Sequence, residues 1–338
     1  LDIEFVFYCF VMSAQSCDFG IVFDIDGVLL HGHHPIDEAF QVIKKVVVDK
    51  LCPCVFVTNG SGTRQDKAKL LEKAFSSVLG SEKILPENVI VSHTPLCFDA
   101  SSQQQRLLLV ASYESVSIQV AKEHGWKNYT TIQEFAKRNT LLYPLKYHSH
   151  YCESNTPLLD GTSEINEKEL PIDAIVILQD PLDWGESMQI ITDLLCSSNG
   201  IASSSLVGSD QPQYVELHVC NLDVTYAHRF CVPRFTTGAF FKCIETLYST
   251  QRENVKLSYQ TYGKPYQSTY DFAQQIFLSS HCQLPKRIYA IGDNPHSDIQ
   301  GANLAGDHWQ SVLVETGCYQ SSQGKPPFEP NIYAKNVC

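Results

Sequence analysis

The sequence predicts an α/β fold: a doubly wound parallel-sheet, Rossmann-like core with an α/β cap domain inserted into it. Three observations lead there. Short apolar runs of strand length end at polar, chemistry-bearing residues. Amphipathic stretches of helix length alternate with those runs. A long middle segment repeats that alternation without carrying any of the motif residues, which cluster on either side of it. The division that follows is an N-terminal extension over 1–18, a core over 19–99, an insertion over 100–256 and a return to the core over 257–338.

Residues 19–23 read as an apolar strand ending at Asp24. Over 35–49 the spacing is helical, with Ile36, Ala39, Phe40, Ile43 and Val47 on one face. Residues 54–57 form a second strand ending at Thr58, 64–78 a second helix and 89–91 a third strand. In open α/β sheets ligands bind beyond the carboxyl ends of the strands, where Asp24 and Thr58 fall. In the insertion, strands are expected over 106–111 and 174–178, and helices over 115–124, 186–196 and 238–248. The polar stretch 147–171 reads as a long surface insertion. From Gly263 the chain is expected back in the core, with a strand over 287–291 ending at Asp293 and a last strand over 311–314.

With 338 residues and 43% apolar content the chain can bury two cores. A net charge of −12 argues against nucleic-acid partners and anionic membranes, so an anionic ligand needs a local cationic site. The 13 cysteines are odd in number and scattered, which predicts reduced thiols in an intracellular protein. No apolar run reaches the ~18 residues of a membrane span. The apolar stretch 1–11 precedes Met12, which is the expected start; a trimmed targeting segment is the other reading. The segment His31-Gly32-His33-His34 is read as a polar loop, since a zinc site would need a further partner.

Four segments hold the candidate chemistry: Phe23-Asp24-Ile25-Asp26-Gly27-Val28, Val57-Thr58-Asn59-Gly60, Gly263-Lys264-Pro265, and Gly292-Asp293-Asn294 with Asp298 close behind. Together they supply carboxylates, a hydroxyl and an ammonium, the inventory needed to hold a phosphate beside a divalent cation. Asp24, at a strand end, is the candidate nucleophile. Asp26, two residues on across the turn that Gly27 permits, is the candidate general acid and base. The Thr58 hydroxyl and the Asn59 and Gly60 amides can donate to phosphate oxygens, and Lys264 can neutralise both Asp24 and a phosphoryl group. Hard oxygen donors such as Asp293 suit Mg²⁺. Each segment alone also makes ordinary turns; their combination is what points to a site.

On these four segments, from about Phe19 to Tyr319, the chain resembles the haloacid dehalogenase-like phosphohydrolases, in particular their capped NagD-type and pyridoxal-phosphate-type branch. The resemblance implies that Asp24, the backbone carbonyl of Asp26 and Asp293 bind Mg²⁺, with Asp298 and Asn294 in support. It implies a cap between the second and third segments. Asn221-Leu222-Asp223, ahead of the stretch 233–238, is similar to the family's cap loop, so Asn221 and Asp223 are carried over as substrate-facing or loop-organising. The family's usual Pro between them is Leu222 here, and its Pro-Gly-x-Gly is replaced by Thr236-Thr237-Gly238-Ala239. Arg234 and His228 are weaker candidates to meet an anionic substrate.

The resemblance also implies a small phosphorylated metabolite as substrate, an association with mitochondria (the cytoplasm being the alternative) and with glycerophospholipid synthesis, and a homodimer through the cap as one oligomeric option. A short closing helix beyond 331–337 is expected from the family. A catalytically idle, ligand- or partner-binding member is the alternative function. Dehalogenation is disfavoured by Asp26, and a transporting ATPase by the lack of spans.

Overall fold

The computed structural model describes residues 18–96, 104–147, 170–202, 211–226, 230, 232–253, 255–281 and 283–338. The expectations for the N-terminal stretch, for most of the 147–171 insertion and for His228 lie outside the described residues. Strands run in chain order as β1 (Phe19–Asp24), β2 (Cys54–Thr58), β3 (Val89–Val91), β4 (Leu107–Val110), β5 (Tyr129–Thr131), β6 (Ala174–Ile177), β7 (Glu216–Val219), β8 (Thr225–Tyr226), β9 (Arg234–Phe235), β10 (Gln260–Thr261), β11 (Arg287–Gly292), β12 (Trp309–Val314) and β13 (Ile332–Ala334). The longer helices are α1 (Arg64–Ala74), α2 (Glu114–His124), α3 (Ile132–Arg138), α4 (Trp184–Leu195), α5 (Thr237–Gln251) and α6 (Gln267–His281).

Two parallel sheets result. The first has the order β13-β12-β11-β1-β2-β3. The second has the order β10-β7-β6-β4-β5. In the first, β2 and β3 build outward on one side of β1 and β11 to β13 on the other. The chain therefore reverses direction between β1 and β11, and that switch point leaves a crevice beyond their carboxyl ends. Both faces of this sheet are covered, as a parallel sheet requires. On one, Phe23, Phe56 and Val89 pack with Ala39, Ile43, Leu71 and Phe75. On the other, Val22, Val55, Val57 and Ala290 pack with Tyr270, Ala273 and Phe277 of α6. The alternation of buried residues along β1 and β2 between the two clusters follows the period of two that strands impose.

Local sequence explains the helix boundaries. Thr63 caps α1 by accepting from the Asp66 amide at 3.1 Å, while Asp66 accepts from the Thr63 amide at 3.4 Å. Gly125 ends α2 in the left-handed region at φ 72°. Over 35–49 the expected single helix is a short α-helix, Ala39–Ile43, that widens into a π turn at Lys44–Val48. The wider turn brings the adjacent Val46 and Val47 onto a narrower arc, and both are buried.

Two expectations are corrected. Residues 311–314 are not the last strand, because Ile332–Ala334 adds an edge to β12. Nor does the second sheet stop short of residue 257, where the return to the core is expected. Gln260–Thr261 pairs with β7, so Lys264 enters the site off the end of the second sheet.

The two units meet along a polar seam beside α1. Arg64 Nε donates to Glu123 Oε1 at 2.8 Å. The buried His93 lies 2.9 Å from His124 (Nδ1 to Nε2) and 3.0 Å from the Gly62 carbonyl (Nε2 to O). The carbonyl only accepts, so the His93 proton is on Nε2, and Nδ1 accepts from His124 Nε2–H. The His124 ring stacks on Trp126 at 4.4 Å. Burial lowers the pKa of both rings, that of His124 to about 3, with His93 and Arg64 pushing the same way.

A histidine near 6.5 when unfolded and lower when folded binds more protons in the unfolded chain below that pH. Stability is therefore full above pH 6.5 and is lost as pH falls toward 3. His124→Gln, which keeps a donor to His93 but does not titrate, is expected to recover on the order of 1–2 kcal/mol of the stability lost between pH 7 and pH 5. Urea unfolding of both proteins at the two pH values measures it.

Candidate functional site

All four predicted segments converge at the switch point. β1 delivers Asp24 and β11 delivers Asp293, each buried. One ligand oxygen from each of Asp24, Asp293 and Asp298 lies within 4.8 Å of the others. Lys264 Nζ sits between two of them: it donates to Asp24 Oδ1 and, at 2.6 Å, to Asp298 Oδ1. The second Asp298 oxygen accepts from the Asn294 amide at 3.1 Å. Both oxygens of Asp298 are thus engaged. Asp24 keeps one oxygen with no donor among the described residues.

Asp26 stands apart from the cluster, half-buried, and its Oδ2 accepts from the Thr58 hydroxyl at 3.2 Å. The Gly60 amide donates to Thr58 Oγ1 at 2.8 Å, turning the hydroxyl proton toward Asp26 and the cavity. Asn294 Oδ1 accepts from the His296 amide at 3.0 Å and so caps the following turn.

Asn221 and Asp223 reach the site through Asn59. Asn59 Nδ2 donates to Asp223 Oδ2 and to the Lys264 carbonyl, both at 2.9 Å, and Asn59 Oδ1 accepts from the Lys264 amide at 2.7 Å. Asn221 Nδ2 donates to the Asn59 carbonyl at 3.3 Å and its Oδ1 accepts from the Asp223 amide at 2.8 Å. The Asn59 side chain is spent on this knot, leaving only its backbone amide for a ligand. Arg234 is exposed and rests on the Phe230 ring at 4.5 Å.

Sequence reading missed the loop after β12. The Cys318 amide donates to Asp293 Oδ2 at 2.5 Å and the Thr316 hydroxyl to the Gly27 carbonyl at 2.6 Å. Gly27 (φ 91°) and Gly317 press against the Asp293 carboxylate, where any side chain on either would collide with it. Thr316-Gly317 follows the apolar run 312–314 after one residue, Glu315, close to the signal that marked the other segments.

The electrostatics are those of an under-compensated anion cluster. Burial pushes Asp24 well above the carboxylate range, helped by Asp298, Asp293 and Asp26; only Lys264 pulls it down. Burial, with Asp298 beside it, pushes Asp293 up to about 7. Burial disfavours the Lys264 ammonium, but Asp24 and Asp298 outweigh that and raise its pKa. Three buried carboxylates around one ammonium fit a further cation, and their hard oxygens fit a divalent one.

The cluster opens into a cavity of about 700 Å3. Its outer walls include His31, His33, His34 and Lys67 on the first unit and Leu182, Asp180, Tyr226 and Phe235 on the second.

A family model described as haloacid dehalogenase-like hydrolase matches residues 21–127, and one described as HAD-hydrolase-like matches 261–338. The chain is 30% identical over 335 residues to a cardiolipin synthase (CMP-forming)/mitochondrial hydrolase fusion protein of Schizosaccharomyces pombe. The match covers 96% of this chain, which spans about half, 52%, of that relative's length. It is 27% identical to a mitochondrial hydrolase of Saccharomyces cerevisiae, covering 96% of this chain and 95% of that one. Its fold matches the crystal structure of a glycerol phosphate phosphatase from Mycobacterium tuberculosis in complex with magnesium. The TM-score is 0.57 at 17% identity, over 95% of this chain and 75% of that one. Over both matched stretches the chain is similar to the haloacid dehalogenase-like hydrolases.

Asn59→Ala removes three hydrogen bonds that fix the Lys264 backbone and Asp223. Leaving those buried groups unpaired is expected to cost about 3 kcal/mol of unfolding free energy, read from a urea titration.

Proposed function

We propose that this hydrolase is a Mg²⁺-dependent phosphatase that cleaves a small phosphorylated metabolite through an aspartyl-phosphate on Asp24. The observation that carries the reading is the position of Asp24. It is a buried carboxylate at the switch point, with one oxygen on Lys264 and the other without a donor among the described residues, beside a cavity large enough for a metabolite.

The free oxygen of Asp24 attacks phosphorus in line with the bond to the leaving oxygen. Lys264 spreads the charge that builds on the phosphoryl oxygens. In this reading the Asn59 amide holds those oxygens, joined by the Thr58 hydroxyl and the Gly60 amide as they exchange their present partners, Asp26 and Thr58 Oγ1, for the phosphoryl group. Asp26 gives its proton to the leaving oxygen as that bond breaks, then takes one from the water that attacks the phosphoenzyme and releases phosphate. The residues that would hold Mg²⁺ are Asp24, the backbone carbonyl of Asp26 and Asp293; Asp298 and Asn294 support them. When bound, the ion would neutralise phosphoryl charge and restore Asp24 and Asp293 to their anionic forms.

In this reading residues 19–99 and 263–338 are the chemical core, and the insertion, whose sheet runs on to Thr261, forms the cap whose wall selects the substrate. Asn221 and Asp223 organise the junction between them. The names of the two yeast relatives support a mitochondrial setting, and the fusion to a cardiolipin synthase supports a place in glycerophospholipid metabolism.

Hydrolysis of an aryl phosphate should require Mg²⁺, cease in chelator and vanish in Asp24→Asn. Full turnover in chelator would overturn the mechanism. No turnover of any phosphomonoester in a metabolite panel would favour an idle, ligand-binding member instead.

Asp26→Asn should behave differently from Asp24→Asn. Single-turnover phosphorylation by an alkyl phosphate should fall about 10²- to 10⁴-fold, the usual scale of acid catalysis, and much less for an aryl phosphate with a good leaving group. Equal losses on both would remove the acid role from Asp26.

A further inference from the structure

Lys264 gives two of its three N–H donors to Asp24 and Asp298. The described lining of the cavity also carries Asp26, Asp180, Asp223 and Asp293, so the cavity is strongly acidic for a ligand that is itself dianionic. Lys67 is the other ammonium on that lining. No carboxylate among the described residues pairs with it, whereas its helix neighbour Arg64 is taken by Glu123.

Its position follows from helix geometry. Lys67 lies in the first turn of α1, where its amide donates to the Thr63 carbonyl at 3.1 Å. Long side chains on a helix lean toward the N-terminus. Lys67 therefore leans back over the loop 58–63. Its Nζ comes to 2.8 Å from the point where a Gly60 side chain would begin, and Thr58 Oγ1 to 3.0 Å from the same point. The two are neighbours, with Thr58 in turn on Asp26. Gly60 has no positive φ to maintain, so what glycine provides at this position is room for that ammonium.

We infer that Lys67 is a second phosphoryl-binding cation, reaching the anionic end of the substrate over Gly60 on the Thr58–Asp26 side of the cavity. Lys264 holds the nucleophile's side, with two of its three donors on carboxylates. Lys67 is the cavity ammonium that no carboxylate among the described residues holds. This rests on the phosphatase reading above for its catalytic consequence, but anion binding tests it separately. The contact forms with the bound ligand as well as during reaction, so its loss should appear mainly as weaker binding.

The test compares wild type, Lys67→Met and Lys67→Arg, with inorganic phosphate as the probe. Phosphate affinity by calorimetry should fall about tenfold or more in Lys67→Met, the scale of a lost charge-assisted hydrogen bond, and be partly restored in Lys67→Arg. KM for an aryl phosphate should rise by a similar factor, with kcat changing less. The thermal midpoint without phosphate should stay near that of wild type, because the Lys67 ammonium has no ion-pair partner among the described residues to lose. Unchanged phosphate affinity in Lys67→Met would overturn the inference even if the wild type is an active phosphatase. A Lys67-dependent phosphate affinity in a protein that hydrolyses nothing would uphold it while the phosphatase reading failed. A wild type that binds no phosphate would overturn it too.

Discussion

The ammonium of Lys264, buried between Asp24 and Asp298, is the interaction on which the rest of the site depends. Two carboxylates pointed at each other inside a protein would repel or take up protons. With the lysine between them, Asp24 is drawn back toward its anionic form against burial and its acidic neighbours and keeps a fixed rotamer, and Asp298 keeps its place over the turn that follows β11. Such a buried pair is weak evidence for stability, since desolvation offsets much of its attraction. Breaking it by removing one partner is what costs, typically about 3–5 kcal/mol. The triad is better understood as stored orientation: it holds the reactive carboxylate still and leaves one of its oxygens facing the cavity.

That ammonium is not positioned by the sheet it serves. Lys264 follows β10, a strand of the second sheet, and its backbone is tied to the first sheet by Asn59. Asp223 and Asn221, from the second unit, close the same knot. A displacement of the inserted unit would therefore be felt at the lysine directly, through hydrogen bonds about 3 Å long. Catalytic groups lose efficiency steeply when misplaced by an ångström, so docking of the two units and the integrity of the site are one physical requirement. The seam of Arg64–Glu123 and His93–His124 lies on the same loop and helix that carry Thr58, Gly60 and Lys67, and it fixes their other end.

Close packing of backbone against carboxylates completes the design. Gly27 and Gly317 flank Asp293, and Gly292 lies against the Asp298 side chain. Each missing side chain allows a main-chain segment to approach an acid. The Cys318 amide can then donate to Asp293, and the Asn294 amide to Asp298. Only at Gly27 is a positive φ also needed.

The sequence alone determined the doubly wound core, the insertion and the four segments that meet at the switch point. Each reports its own chemistry locally: an apolar strand such as β1 or β11 must be buried, and the acid that ends it must sit at the sheet's edge. Helix α6 went unassigned although Tyr270, Ala273, Ile276 and Phe277 recur at helical spacing, because polar residues dominate its length. Strand β13 carried no signal, being three residues long with Ile332 and Tyr333 exposed. Tertiary structure alone decided that Lys264 arrives from the second sheet, that Asn59 serves the lysine rather than a ligand through its side chain, and that Lys67 leans over Gly60 into the cavity. The physical reason is separation along the chain. Asn59 and Asp223 are 164 residues apart and Lys264 and Asp24 are 240 apart, so which polar groups pair is set by where two packed units place them. Local periodicity carries the burial of each segment and contains nothing about its distant partner.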